Sequence, residues 1–136
     1  MNEMKVSFLS RSENEAFART AVAAFAATVD PTVEQLNEVK TAVSEAVTNA
    51  IVHGYGHPQG WVTVAAKLEG RRLTVTVTDQ GCGIDDVPRA MEPLYTSKPE
   101  EERSGIGFTV MQTFTDRLDV RSAVGKGTAV TMEKQL

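Results

Sequence analysis

The chain has one cysteine, Cys82, so no disulfide can close within it. A single cysteine fits a reducing compartment. Histidine is equally scarce: His53 and His57 are the two present, and the glycines and proline around them deny them a shared helical face. A zinc site is not expected. Aromatic residues make up only 6%. No apolar run approaches the ~20 residues needed to span a bilayer. The opening MNEMKVSFLS lacks the basic-then-apolar layout of a secretory signal. There is no basic excess either: 14 Lys and Arg stand against 18 Asp and Glu, for a net charge of -4. Direct binding to nucleic acid or to an anionic membrane is therefore not expected. Together these absences point to a cytoplasmic protein.

What is present is ordinary globular composition, 41% hydrophobic and 24% charged over 136 residues. That length suits one domain, residues 1–136, and is too short for a two-lobed kinase or a large barrel. Lys5 to Leu9 reads as a strand. Ser12-Glu13-Asn14-Glu15 has the form of a capping box, and a helix follows to about Thr28 with Phe17, Ala21 and Phe25 as its expected buried stripe. Arg19, ~200° around from Phe17, should be exposed beside Glu15 and Val22. Asp30-Pro31 predicts a second helix start, with Asp as cap. That helix should run from Thr32 to Val52 on a face of Leu36, Val39, Val43, Ala46, Val47 and Ala50, ending at His53-Gly54-Tyr55-Gly56-His57-Pro58. Alternating residues 62–68 and 73–77 form a hairpin around Gly70. A loop over 80–104, a helix from about Gly105 to Asp116, and a last hairpin around Gly125-Lys126-Gly127 complete the chain. The natural packing is an α+β fold of two layers, one sheet covered on one face by helices.

Three patterns carry chemistry. Glu45, Asn49 and His53 fall at i, i+4 and i+8 on one helix sector. An amide oxygen suits Mg²⁺, a hard cation, and a glutamate one turn away suits proton abstraction; a solvated polar stripe gives the same spacing. Asp79-Gln80-Gly81-Cys82-Gly83 follows a strand, and Asp79 keeps the inward parity of Leu73, Val75 and Val77. A carboxylate on the core side is costly without partners, so it needs a reason beyond an Asp-initiated turn; an ionised one accepts hydrogen bonds and can read an exocyclic amine. Cys82 reads as a filler between two glycines. Ser104-Gly105-Ile106-Gly107-Phe108 opens a helix whose free N–H groups can meet phosphate, although a tight loop-to-helix entry explains it as well. Gly125-Lys126-Gly127-Thr128 lacks the earlier glycine and following helix of a phosphate-binding loop and reads as a hairpin turn. Thr96-Ser97-Lys98 and Glu101-Glu102-Arg103 supply cations in the long loop.

The order of these motifs resembles the Bergerat ATP-binding superfamily of gyrase, Hsp90, histidine kinases and MutL. The runs Arg11-Ser12-Glu13-Asn14-Glu15, Ser44-Glu45-Ala46-Val47-Thr48-Asn49-Ala50, His53-Gly54-Tyr55, Thr96-Ser97-Lys98-Pro99 and Glu102-Arg103-Ser104-Gly105-Ile106-Gly107-Phe108 are similar to the sporulation anti-sigma-F factors, small serine kinases of spore-forming bacteria. The resemblance runs from residue 3 to about 132. Anti-sigma-B stress-response kinases are the nearest rival.

The resemblance implies a Bergerat-type sandwich whose mostly antiparallel sheet is mixed. It implies MgATP as ligand, with Glu45 as general base, Asn49 as Mg²⁺ ligand and Asp79 as adenine reader. His53, Gly81, Gly83, Thr96, Ser97, Lys98, Arg103, Ser104, Gly105, Gly107, Phe108 and Thr128 would complete the ATP site, and Arg19 would contact the sigma factor. The implied partners are sigma factor F, an anti-anti-sigma factor phosphorylated on serine, and a second copy in a homodimer. A nucleotide-gated sigma-binding module without phosphotransfer is the alternative. A water-directed ATPase and a stand-alone histidine-kinase domain fit less well.

Overall fold

The computed structural model describes residues 1–55, 59–84, 86–92 and 107–136. Strand β1 (Asn2–Leu9) leads into helix α1 (Asn14–Ala26) and a 3₁₀ turn over Ala27–Val29. Helix α2 (Val33–Asn49) continues into a π-helical turn over Ala50–Tyr55. Strands β2 (Trp61–Glu69) and β3 (Arg72–Asp79) precede a short helix α3 (Val87–Ala90), helix α4 (Gly107–Phe114), and strands β4 (Arg117–Ala123) and β5 (Gly127–Gln135). The sheet order is β1-β2-β3-β5-β4. Every ladder among the described residues is antiparallel, so the expected mixed sheet is wholly antiparallel here.

Alternation decides which face of the sheet is covered. Val62, Val64, Ala66 and Leu68 on β2, and Leu73, Val75 and Val77 on β3, are buried, while the residues between them are not. Glu69 pairs with Arg72, and Gly70 turns the chain between them at φ 59, a conformation that favours glycine. Helix α2 lies at the centre of the helical layer, packed on both α1 and α4. Its buried residues are Val39, Ala42, Val43, Ala46 and Val47, small side chains that let it sit close to the sheet. Each such valine contributes about 1.5–3 kcal/mol through burial.

Three local readings are corrected. The fully buried stripe of α1 is Ala18, Val22, Ala23 and Ala26; of the expected Phe17, Ala21 and Phe25, Phe25 is partly buried against the core. Phe17 is 54% exposed and meets Phe8 edge-to-face with ring centroids 6.3 Å apart. The capping box over residues 12–15 does not form, since Glu13 occupies the N-cap without a side-chain bond. Nor does Asp30 cap α2: it adopts a left-handed conformation at φ 54, closing the 3₁₀ turn. Thr32 is the cap, accepting from the Gln35 N–H at 3.0 Å while the Gln35 side chain accepts from the Thr32 N–H at 2.9 Å. Arg19 is half-exposed and pairs with Glu15 at 3.2 Å, as its position on the helix predicted.

Candidate nucleotide site

Asp79 ends β3 on the covered side of the sheet, 3% exposed. Its inward parity, read from the alternation, holds. Strand register places it in a row: Phe8 faces Val62, Val62 faces Asp79, Asp79 faces Thr128, and Thr128 faces Ser122. Directly opposed residues share a face with Cβ atoms about 5 Å apart. One row thus crosses all five strands, apolar at the β1 end and polar at the β4 end.

The Asp79 carboxylate is held by backbone donors. Its Oδ1 accepts from the Gly81 N–H at 2.9 Å, and the Thr128 N–H on the facing strand also acts to lower its pKa. Burial raises its pKa above the usual carboxylate value, and the two N–H donors oppose that rise. Glycines press in on this group. A Cβ on Gly54 would lie 2.8 Å from the Asp79 carboxyl carbon, and one on Gly81 would lie 1.9 Å from the Gly54 carbonyl oxygen. A side chain at either position would collide with the buried acid or with backbone.

The loop after β3 is fastened to the end of α2. The Cys82 N–H donates to the Gly54 carbonyl at 2.8 Å, and the Cys82 thiol donates to the His53 carbonyl at 3.0 Å. The Gly125 N–H donates to the Cys82 carbonyl at 2.7 Å. Cys82 is therefore a junction between the π turn, its own loop and the β4–β5 hairpin, not a filler. Gly83, at φ 77, packs against the backbone of Ala123.

Glu45 and Asn49 stand one turn apart on α2, both half-buried, and Asn49 is its last residue. His53 departs from their register: the helix widens at Ala50 into the π turn, so the 3.6-residue period does not reach it. Gly107 opens α4, but the Phe108 ring is buried in the hydrophobic core. Thr96, Ser97, Lys98, Arg103, Ser104 and Gly105 lie outside the described residues. Sequence reading passed over Gly54 and Ser122 as site residues. Gly54 carried a signal, standing directly after the Glu45/Asn49/His53 series, but its role depends on a close approach that only the fold creates.

Residues 8–134 match the family described as the histidine kinase-like ATPase domain. The chain is 56% identical over 135 residues to the anti-sigma F factor of Thermoanaerobacter sp. (strain X514), covering 99% of this chain and 94% of that one. It is 56% identical over 134 residues to that of Clostridium acetobutylicum, covering 98% and 94%.

The chain belongs to the anti-sigma F factor family of histidine kinase-like ATPase domains.

A solved relative in fold is the structure of the RsbU and RsbW domains of Rv1364c from Mycobacterium tuberculosis, at TM-score 0.69 and 16% identity over 100% of this chain and 32% of that one.

Among the described residues no group of three His, Cys, Asp or Glu could hold a metal ion. Mg²⁺ carried in with a nucleotide keeps phosphate and water ligands and needs few from protein. The amide oxygen of Asn49 fits that role.

Proposed function

We propose that the chain is an anti-sigma factor and an ATP-dependent protein serine kinase. It binds sigma factor F and holds it inactive. It also phosphorylates an anti-anti-sigma factor on serine. The observation that carries this reading is the buried, glycine-enclosed Asp79 carboxylate at the strand end, in a chain 56% identical to anti-sigma F factors. Asp79 accepts from the exocyclic amine of adenine. The neighbouring Thr128 lies near the base. The N-terminus of α4 at Gly107 offers backbone N–H groups to phosphate, joined by His53, Gly105, Ser104, Arg103, Lys98, Ser97 and Thr96.

The Asn49 amide oxygen would hold Mg²⁺, which would supply charge neutralisation at the phosphates. Glu45, one turn before it, accepts the proton of the attacking serine hydroxyl. The γ-phosphorus–oxygen bond to the serine forms as the bond to ADP breaks, and positioning supplies most of the rate. The phosphoserine carries up to about -2 charge, which weakens rebinding near acidic groups. Arg19 on α1 contacts the sigma factor; it is half-exposed and already paired with a carboxylate. The chain acts as a homodimer, and a sigma partner places it in the cytoplasm. No described helix is long and apolar enough to cross a membrane.

The test is transfer of label from [γ-³²P]ATP to the anti-anti-sigma factor. The wild type should label a partner serine. Glu45→Ala should keep ATP binding and lose about 10²–10⁴-fold in transfer rate. Tight ATP binding with sigma retained and no label on the partner would instead establish a nucleotide-gated binding module.

A further inference from the structure

We propose that Ser122 is a positioning residue for nucleotide selection, acting through Thr128. A serine hydroxyl has one proton and two lone pairs. The Ser122 oxygen accepts from the Ile84 N–H at 2.7 Å. It also contacts the Gly127 carbonyl at 2.9 Å, and a carbonyl only accepts, so the Ser122 proton goes there. The third contact, to the Thr128 hydroxyl at 2.8 Å, leaves Ser122 one lone pair to offer. Thr128 must therefore donate to Ser122.

Its own proton committed, Thr128 meets a ligand only as an acceptor. Thr128 is 5% exposed and stands directly opposite Asp79 on the same face of the sheet. When Asp79 is ionised, its carboxylate is also acceptor-only. Two acceptors side by side select a base edge rich in N–H and disfavour one that presents a carbonyl or a bare ring carbon. Ser122 also ties the loop after β3, through Ile84, to the β4–β5 hairpin, so the orientation of Thr128 and the path of that loop are set by one hydroxyl.

This rests on the reading that the Asp79 pocket takes a purine nucleotide. The test compares ATP with purine riboside triphosphate, which lacks the 6-amino group, by titration calorimetry on the wild type, Ser122→Thr and Ser122→Val. Threonine and valine have the same shape, and only threonine keeps the hydroxyl. Ser122→Val should lose about tenfold in ATP affinity while purine riboside triphosphate changes by no more than about twofold, since only the amino group meets Thr128. Ser122→Thr should retain the wild-type preference for ATP. Equal losses on both nucleotides, or no loss on either, would overturn the role of Ser122 while leaving the nucleotide site standing. A wild-type chain that binds neither nucleotide would defeat the nucleotide reading itself.

Discussion

At the scale of single residues, Asp79 sets the terms. A carboxylate buried at a strand end favours its neutral form, and here the Gly81 and Thr128 N–H groups only partly offset that cost. Its raised pKa means that the folded chain binds a proton that the unfolded chain has released. The stability linked to this proton is complete below the ordinary carboxylate range and is lost as pH rises through the raised value. Asp79→Asn removes this titration. The stability of the wild type relative to the variant should fall with rising pH across that window in urea unfolding; a difference that grows with pH would contradict the assignment. The same variant should bind ATP about 10–100-fold more weakly, because hydrogen bonds to a charged acceptor are among the stronger ones. Gly54 is the second decisive residue. Gly54→Ala places a methyl 2.8 Å from the carboxyl group, and overpacking there should cost about 1–3 kcal/mol in unfolding free energy and weaken ATP binding in parallel. Asp79 was legible from strand parity alone. Gly54 was not, because its importance comes from a contact across 25 positions of sequence.

At the scale of elements, α2 joins stability to the site. Its start depends on the Thr32–Gln35 capping box, so Thr32→Ala should lower unfolding free energy by about 0.5–2 kcal/mol, with ATP affinity per folded molecule unchanged. Equilibrium denaturation and calorimetry on the same sample check both halves. The end of α2 is where the regular period stops. The π turn carries His53 off the Glu45/Asn49 sector and brings Gly54 against Asp79, so the widened turn connects the expected metal-binding helix to the expected base-reading loop. Helix existence and direction were readable from periodicity. The buried face of α1 is centred one sector away from Phe17, on Ala18 and Val22, with Phe25 at its margin, and helical spacing alone does not choose between adjoining sectors. The choice of cap was misjudged because Asp30 and Thr32 both cap well in principle, and backbone conformation chose between them.

At the scale of the whole molecule, ligand and fold are thermodynamically linked. If MgATP binds the folded chain alone, ATP at a hundred times its dissociation constant should add about 2.7 kcal/mol to stability. A thermal melt should rise by several degrees with MgATP, and EDTA should reverse the part that depends on Asn49; an unchanged melting temperature at saturating nucleotide would argue against the site. The sequence alone determined the order of the strands and the three longer helices, the covered face of the sheet and the inward carboxylate, but not the short α3 within the expected 80–104 loop, because 2- and 3.6-residue periods are local properties that four residues are too few to display. Only the tertiary structure decided that Ser122, Thr128 and Asp79 form a continuous row, that Gly54 and Cys82 fasten the end of α2 to the loop after β3, and that Phe17 is left exposed on α1. Those outcomes depend on strand register and on the spacing between layers, which arise from the packing of the whole chain and have no signature within any one segment.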